Sequence, residues 1–302
     1  MISVSGLTKL YGPKVAIKNV CFTIKRGEVV GVIGPNGAGK STLLSMLAGA
    51  SRPSSGDIQV SGFDALLEPK RLQKIIGYHP QHNPVDTALT VSEYLSFIAG
   101  VRSLSKQESA IQRVLKLCQL EPFKHDRIGN LSLGFQNRVG LAQAIIHQPS
   151  LIILDEFAQG IDLDKFGNCR EFITSLQATA IISSHDLHQI EDLCDRIIIM
   201  SNGDMIANDT PAQLRDAVAY HHRIQAETTL KQDQIDASVR QLNGKVVGYQ
   251  IKSDGFISFD IEANDDIRDH IYDAVITNNG RIRELTIKQT SFKEVVDRIS
   301  ES

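Results

Sequence analysis

The most constraining feature of the sequence is an eight-residue segment, GPNGAGKS at residues 34–41, which matches the pattern G-x-x-x-x-G-K-[ST] in full. An apolar run at residues 28–34 precedes it and predicts a buried strand, and the spacing over residues 41–49 predicts a helix. Between a strand and a helix, glycines let backbone N–H groups converge on phosphate oxygens at the positive end of the helix. The segment therefore predicts a P-loop NTPase core in an α/β fold.

The same pattern assigns roles within the loop. Lys40 would reach the β- and γ-phosphates of a nucleotide, and the Ser41 hydroxyl would hold Mg²⁺. From average composition, a chance match in a chain of this length is on the order of 1%. We therefore expect ATP and Mg²⁺ as cofactors, with the nucleotide bound by Gly34, Pro35, Asn36, Gly37, Ala38, Gly39, Lys40, Ser41 and Thr42.

A second motif supplies the carboxylates that such a loop requires. The apolar run at residues 151–154 predicts a strand, and Asp155 and Glu156 follow it directly. At the end of that strand, Asp155 is placed to orient the metal ion. Glu156 could polarise an attacking water molecule as a general base. A solvated turn would also accept two adjacent acids, but the phosphate loop favours the metal and base roles.

The first part of the chain alternates strand and helix patterns. Apolar runs at 151–154 and 179–183 each precede a polar segment that starts a helix, which favours a parallel sheet covered on both faces. Residues of about 84–150 predict a helical subdomain, with helical spacing at 91–101, 108–118 and 134–147. We assign residues 1–215 to this ATP-binding domain and expect a short helix after Pro211 to close it.

The remaining chain, residues 220–302, predicts a small α+β domain. Turn signals at Asp254-Gly255 and Asn279-Gly280 separate its elements. The expected order is β-α-β-β-α-β with a final helix, at 221–228, 231–242, 245–251, 256–262, 265–278, 281–288 and 291–299. Because this is the order of a ferredoxin-like fold, we predict a ferredoxin-like accessory domain.

Composition excludes several classes of protein. Of the 302 residues, 42% are hydrophobic and 22% are charged, which excludes a disordered or fibrous chain. The net charge of -3 gives no basic field, so we expect no nucleic acid partner. The four cysteines form no CxxC pair and predict buried free thiols in a reducing compartment. With no signal-peptide pattern and no apolar run near the roughly 20 residues that span a bilayer, we expect a cytoplasmic protein.

Around its two motifs, the sequence resembles the ATP-binding subunits of ABC transporters over residues 1–215. Tyr11, in LTKLYG, matches the aromatic residue that stacks on adenine in that family. Gln81, in IGYHPQ, matches the Q-loop glutamine, which in the family contacts Mg²⁺ and the transport subunit. His185, in IISSHDL, matches the switch histidine that contacts the γ-phosphate, and residues 160–162 resemble the D-loop at the dimer interface.

The family signature LSGGQ corresponds here to LSLGF at residues 131–135. Ser132 and Gly134 are retained, and in the family they supply the hydroxyl and the backbone N–H that meet the γ-phosphate bound by the partner subunit. Leu133 replaces the first glycine, where a Cβ can crowd the opposing nucleotide. Phe135 replaces the glutamine, as an aromatic residue commonly does among the ABC-2 exporter ATPases that the chain resembles.

Within the family, GYHPQHNP and RVGLAQAIIHQP resemble the gliding-motility type of ABC-2 exporter ATPases, and the ending SFKEVVDRIS resembles the tails of that wider group. The resemblance implies a homodimer or heterodimer of ATPase subunits that sandwiches two ATP molecules. It also implies a separate transmembrane permease subunit, which would hold the chain at the cytoplasmic face of the inner membrane. Because Asp155 and Glu156 are retained, although Phe157 replaces the family's proline, we expect ATP hydrolysis, which the altered signature can slow.

Two other functions stay open. A soluble cassette ATPase acting on ribosomes or DNA is disfavoured, because the chain has one phosphate loop, no sustained heptads and no basic patch. A regulatory nucleotide-binding module that hydrolyses ATP weakly is compatible with the altered signature.

Overall fold

The chain divides into two compact units, Met1–Pro211 and Ala212–Ser302. The division falls before most of the short helix Pro211–Asp216, which the sequence analysis places at the end of the first domain. The computed structural model describes residues 1–156, 169–184, 187–217, 222–289 and 291–301.

The described strands of the first unit form two sheets. They are β1 (Ile2–Tyr11), β2 (Lys14–Ile24), β3 (Val29–Ile33), β4 (Ser55–Val60), β5 (Phe63–Asp64), β6 (Ile76–His79), β7 (Leu151–Leu154), β8 (Thr179–Ser183), β9 (Arg196–Ser201) and β10 (Asp204–Asp209).

The larger sheet has the strand order β10-β9-β3-β8-β7-β6. Neighbouring strands from β9 to β6 are parallel, and β10 joins the edge antiparallel to β9. Its central strands are predominantly apolar, as expected where helices cover both faces, and every residue of β7 and β8 is buried. The predicted strands at 151–154 and 179–183 are confirmed.

A second, antiparallel sheet with the order β2-β1-β4-β5 was not anticipated by the sequence analysis. Strand β1 alternates buried and exposed residues, the pattern of a strand with one face on a core. Its buried residues Ile2, Val4 and Leu7 share one core cluster with Leu43 and Leu44 of the helix after the phosphate loop. This sheet therefore packs beside that helix.

The helical insert is present as predicted. The described helices of the first unit are α1 (Lys40–Leu47), α2 (Pro69–Ile75), α3 (Val91–Val101), α4 (Gln107–Leu117), α5 (Leu133–Ile145), α6 (Cys169–Ser175) and α7 (Leu187–Leu193). A capping box starts α3, in which Thr90 accepts from the Glu93 backbone and the Glu93 side chain accepts from the Thr90 backbone. Helix α5 begins one residue before the predicted start because Ser132 has extended backbone and is the N-cap.

The second unit has the predicted ferredoxin-like order. After α8 (Pro211–Asp216), its elements are β11 (His222–Thr228), α9 (Gln232–Gln241), β12 (Lys245–Ile251), β13 (Ile257–Ala263), α10 (Arg268–Thr277), β14 (Ile282–Gln289) and α11 (Phe292–Glu301). All strand pairs are antiparallel, in the order β12-β13-β11-β14. Helix α10 starts three residues after the predicted 265, because the Asp266 side chain accepts from the Arg268 backbone and forms a turn first.

The core of the second unit lies between the sheet and helices α9 and α10, where Ile235 and Ile271 pack with Phe259. Helix α11 pairs its charges with Arg223 and Glu262, which alternate with core-facing strand residues. This helix therefore lies on the opposite face of the sheet.

Within the described ranges, no helix combines the length and apolarity needed to cross a bilayer.

Cys118 and Cys194 are buried free thiols, and burial raises the pKa of each to about 12. Cys21 is exposed, so the prediction of a buried thiol was wrong there. It lies on the outward face of β2, where its Sγ accepts a hydrogen bond from the Gly6 backbone.

Candidate phosphate-binding site

The loop at residues 34–39 joins the end of β3 to the start of α1 and depends on its glycines. Gly34 has φ 146° and Gly39 has φ 105°, in the region that favours glycine. A Cβ on Gly34 would lie 2.1 Å from the Met200 carbonyl oxygen, and one on Gly39 would lie 2.5 Å from the Ala16 carbonyl oxygen. No atom lies within 4 Å of a Cβ built on Gly37. The loop is thus closed by backbone on one side and open at Gly37, as a phosphate cradle requires.

Lys40, the first residue of α1, is buried, with 7% of its surface exposed. Its ammonium donates hydrogen bonds to the carbonyl oxygens of Gly34 at 2.7 Å and of Pro35 at 3.1 Å. Burial lowers the pKa of Lys40, and the nearby carboxylates of Glu156 and Asp155 act in the opposite direction. The cation therefore lies inside the loop and within the electrostatic influence of both acids.

Asp155 and Glu156 follow β7 at the carboxyl edge of the parallel sheet. Asp155 is 2% exposed, and its backbone N–H donates to the His79 carbonyl oxygen at 2.8 Å. Ser183, the last residue of β8, donates its hydroxyl proton to Asp155 Oδ1 at 2.6 Å. The backbone N–H of Glu156 donates to the same Ser183 oxygen at 2.9 Å. Sequence reasoning missed Ser183, and the available signal was its place at the carboxyl end of a buried strand.

The donor set suits Mg²⁺, which takes one or two protein oxygens and fills its remaining positions with phosphate oxygens and water. Asp155 provides a buried carboxylate, and the exposed Ser41 begins the helix directly after Lys40. Among the described residues no group of three histidine, cysteine or acidic side chains forms a metal cage. The residues present therefore fit a metal ion that arrives with a nucleotide.

Tyr11 ends β1 and is 51% exposed. The Lys9 ammonium lies 4.9 Å from its ring centroid and donates to the Arg52 carbonyl oxygen at 2.5 Å. The hairpin of β1 and β2 also carries Ala16, whose carbonyl oxygen faces Gly39 of the loop. The hairpin thus places an exposed aromatic ring on the element that lies against the phosphate loop.

The signature residues lie at the start of α5. Ser132, the N-cap, is exposed, and Gly134 is half-buried. Leu133 is 64% exposed, so it is not packed on the helical insert. Phe135 instead contacts the Phe123 ring, with centroids 4.3 Å apart. On the same helix, the Arg138 guanidinium lies over the Phe135 ring. The aromatic replacement is therefore accommodated by packing, whereas Leu133 presents its side chain to solvent.

Gln81 is exposed and follows β6 by two residues. The next loop residue but one, Asn83, donates to the Gln136 carbonyl oxygen at 2.5 Å. Its amide occupies the space that a Cβ on Gly140 would need, because that Cβ would lie 2.2 Å from Asn83 Oδ1. The segment that carries Gln81 therefore packs on α5, the signature helix. The space beside Gly140 that the Asn83 side chain fills is called the notch. Nothing in the sequence analysis singled out Asn83 or Gly140.

Three more side chains join strand β6 to helix α5 or to the turn that follows it. Burial lowers the pKa of His79, whose Nε2 bonds to a carbonyl of α5. The pairs are His79 Nε2 with the Asn137 carbonyl at 3.2 Å, Gln143 Nε2 with the Tyr78 carbonyl at 3.2 Å, and His147 Nε2 with the Ile76 carbonyl at 3.0 Å. Together with Asn83, these contacts join α5 and the turn after it to the strand beside β7.

The remaining predicted site residues lie outside the described residues. These are His185 and the segment 160–162 that resembles a D-loop.

The chain matches known proteins over about 70% of its length. A sequence profile described as ABC transporter matches residues 17–159. The chain is 37% identical over 209 residues to YxlF of Bacillus subtilis (strain 168), an uncharacterized ABC transporter ATP-binding protein, covering 68% of this chain and 69% of that protein. It is 36% identical over 220 residues to the Nod factor export ATP-binding protein I of Rhizobium meliloti (strain 1021), covering 71% of this chain and 66% of that protein.

A solved structure shares the fold of the first unit. It is a dimeric ATP-binding cassette in a post-hydrolysis state bound to ADP and Pi. The similarity has a TM-score of 0.64 and 26% sequence identity, and it covers 70% of this chain and 98% of that one.

Proposed function

The chain belongs to the family of ABC transporter ATP-binding proteins, and we propose that it is the ATP-hydrolysing subunit of an ABC-2 type exporter. ATP hydrolysis is characteristic of the family, so the chain is an ATPase. The relative named for Nod factor export supports the direction of transport. Within the exporters, the motifs favour the gliding-motility type.

Residues 1–215 form the ATP-binding domain in this proposal, with the helical subdomain at about 84–150, and residues 220–302 form an accessory domain. Two copies of the chain, or one copy with a homologous partner, would pair around two ATP molecules. The dimeric cassette of similar fold supports this pairing. A separate transmembrane permease subunit would hold the pair at the cytoplasmic face of the inner membrane.

The phosphates of ATP bind in the loop at residues 34–42. There they meet backbone N–H groups and the positive N-terminus of α1. Tyr11 stacks on adenine. Ser41, Gln81 and Asp155 would hold Mg²⁺, and its positive charge would offset the charge that develops on the phosphoryl group. The buried Lys40 ammonium exchanges carbonyl partners for phosphate oxygens, which are better acceptors for a cation.

Glu156 accepts a proton from the water that attacks the γ-phosphorus. The bond from that phosphorus to its bridging oxygen breaks, and ADP and phosphate leave the site. His185, which matches the switch histidine of the family, would contact the γ-phosphate. The observation that carries this assignment is that Lys40 and Asp155 are buried, Glu156 is half-buried beside Asp155, and both carboxylates raise the pKa of Lys40 against the effect of burial.

Hydrolysis requires a second subunit, because the signature loop faces away from its own chain's core. Ser132 is exposed at the start of α5, where the backbone N–H groups and the helix dipole attract anions. Its hydroxyl and the Gly134 N–H would meet the γ-phosphate bound by the other subunit. Dimer closure follows ATP binding, and hydrolysis reopens the dimer to drive the permease.

A second candidate is a regulatory module with weak hydrolysis, which the exposed Leu133 in the signature favours. An assay of Mg²⁺-dependent phosphate release by the full chain, with Glu156→Gln as the blank, separates the two. Turnover that the blank lacks supports an exporter ATPase, and parent turnover close to that of the assay without protein supports the regulatory module.

Copurification tests the exporter assignment itself. The tagged chain is recovered from detergent-solubilised membranes of its own organism, and bound proteins are identified by mass spectrometry. A polytopic membrane protein that stays bound and changes the turnover rate is expected. Recovery of the chain only with ribosomes or DNA would overturn the exporter proposal.

A further inference from the structure

Ser183 lies between the two motifs of the site. Its strand, β8, is flanked in the sheet by β3, which leads into the phosphate loop, and by β7, which leads to Asp155. Ser183 is opposite Val32 of β3 and is completely buried. It is thus a polar side chain in an apolar sheet interior, and such a group requires hydrogen-bond partners.

Both partners of the Ser183 hydroxyl belong to the carboxylate motif. The oxygen accepts from the Glu156 backbone N–H at 2.9 Å, and the hydroxyl donates to Asp155 Oδ1 at 2.6 Å. A hydroxyl has a single proton. Because the Glu156 N–H can only donate, that proton is directed to Asp155, and the orientation of the hydroxyl is determined by the two bonds together.

The bond to Glu156 supports an unusual backbone conformation. Glu156 has φ 56°, in the left-handed region that side chains other than glycine seldom adopt. Such a residue persists where surrounding contacts hold it. The bond from its N–H to Ser183 is one such contact, and the backbone turn decides where the Glu156 carboxylate points.

The bond to Asp155 orients the carboxylate itself. Asp155 is 2% exposed, so little water competes for its oxygens. A charge-assisted bond of 2.6 Å holds one oxygen in a defined direction. Partners of metal-binding carboxylates typically change metal affinity or activity by about 10- to 100-fold when they are removed.

We propose that Ser183 is a positioning residue that aims Asp155 at Mg²⁺ and Glu156 at the attacking water through one hydroxyl group. The inference rests on the metal and base roles given to those acids in the proposed function. Removal of the hydroxyl then weakens metal binding and lowers kcat together, while nucleotide affinity without metal is unchanged.

The test compares Ser183→Ala with a matched control, Thr179→Val. Thr179 lies at the other end of the same strand, is buried, and accepts a backbone N–H bond from Gly27 at 2.9 Å. Both variants remove a buried hydroxyl oxygen that accepts a hydrogen bond from a backbone N–H. Only the Ser183 hydroxyl also contacts Asp155 and Glu156. Circular dichroism melting of the full chain measures the structural effect that they share.

Two readouts separate positioning from general damage. Electron paramagnetic resonance measures the affinity of Mn²⁺ for the chain with a non-hydrolysable ATP analogue, and steady-state assays give kcat and KM. We expect Ser183→Ala to lose about 10-fold or more in Mn²⁺ affinity and in kcat, with KM and the metal-free analogue affinity retained. Thr179→Val is expected to match the parent chain in both readouts, whatever its melting temperature.

The outcomes distinguish this inference from the proposed function. If Asp155→Asn loses Mn²⁺ while Ser183→Ala behaves as Thr179→Val does, the positioning role is wrong and the metal site stands. If Asp155→Asn keeps full Mn²⁺ affinity, the metal assignment is wrong and the positioning role is wrong with it. Should Ser183→Ala fail to fold, Ser183→Cys decides, because a thiol is a weaker donor of similar shape. Its Mn²⁺ affinity is expected to be reduced, and parent affinity would overturn the proposal.

Discussion

The phosphate loop and the signature loop differ in how much of their environment the single chain supplies. In the first region, Lys40 is buried and bonded to carbonyl oxygens of the loop itself, and the nearby Asp155 is buried and bonded to Ser183 of the neighbouring strand. Ser132 and Leu133 of the second region are exposed at a helix start. The comparison indicates that the first region is preorganised within one subunit, whereas in the proposed function the second is half of a site and depends on another subunit for its ligand.

The largest expected effect comes from Glu156→Gln, which alters the chemistry and leaves both regions in place. We expect turnover to fall by about 10²-fold or more, because the general base is lost. ATP binding should persist, and ATP should stabilise a dimer that size-exclusion chromatography detects. A variant that hydrolyses ATP at the parent rate would show that Glu156 is not the base.

Lys40→Ala damages the first region alone. The cation nearest the β- and γ-phosphates is removed, so ATP affinity should fall by about 10- to 100-fold, the typical range for a hydrogen bond to a charged group. Isothermal titration calorimetry with ATP and EDTA measures it without turnover. Ser132→Ala is the matched change in the second region and should leave that affinity unaltered. Equal losses in both variants would contradict the difference between the regions.

Asn83 and Gly140 connect the loop after β6 to the signature helix, and a double-mutant cycle measures that connection. Alanine at a helical glycine ordinarily raises the free energy of unfolding by about 1 kcal/mol. Gly140→Ala should show this gain only in the Asn83→Ala background, because the Cβ displaces the Asn83 amide in the parent.

Gly100→Ala is the control for that cycle. Gly100 lies in α3, and a Cβ added there would have no atom within 4 Å, so its gain should not depend on Asn83. Urea unfolding gives each free energy. A Gly140→Ala gain that is the same in both backgrounds would mean that the notch does not hold the loop.

The smallest expected effect is that of Leu133→Gly, which changes only the second region. Crowding of the opposing nucleotide would be relieved, so turnover should rise modestly while ATP affinity of the monomer stays the same. Because Leu133 is 64% exposed, no core packing is lost, and glycine in the first turn should lower the free energy of unfolding by at most about 1 kcal/mol.

Leu133→Ala is the matched control, since it shortens the side chain and keeps the Cβ. An intermediate rate is expected if the whole side chain crowds the site. A lower melting temperature of Leu133→Gly with no gain in turnover would contradict the crowding hypothesis.

Much of the fold was predictable because its signals are local. The helices of the insert and every element of the second unit follow from apolar spacing and turn residues, and their ends shift where caps and turns intervene, as at Asp266 before α10. The sheet of β1, β2, β4 and β5 was missed although β1 alternates buried and exposed residues. Its irregular register, with shifts along the β1–β2 pair, interrupts the period of two on which the prediction depends.

For the site, the sequence by itself determined the glycines, Lys40 and the paired acids, because each acts through a short segment whose spacing carries its geometry. Only the tertiary structure decided that Ser183 bonds to Asp155 and Glu156, and that Asn83 occupies the notch at Gly140. Ser183 is 28 residues from Asp155 along the chain, and Asn83 is 53 residues from Gln136. Such contacts arise from the order of strands in the sheet and from one helix packing on a loop, and neither leaves a periodic trace in the sequence.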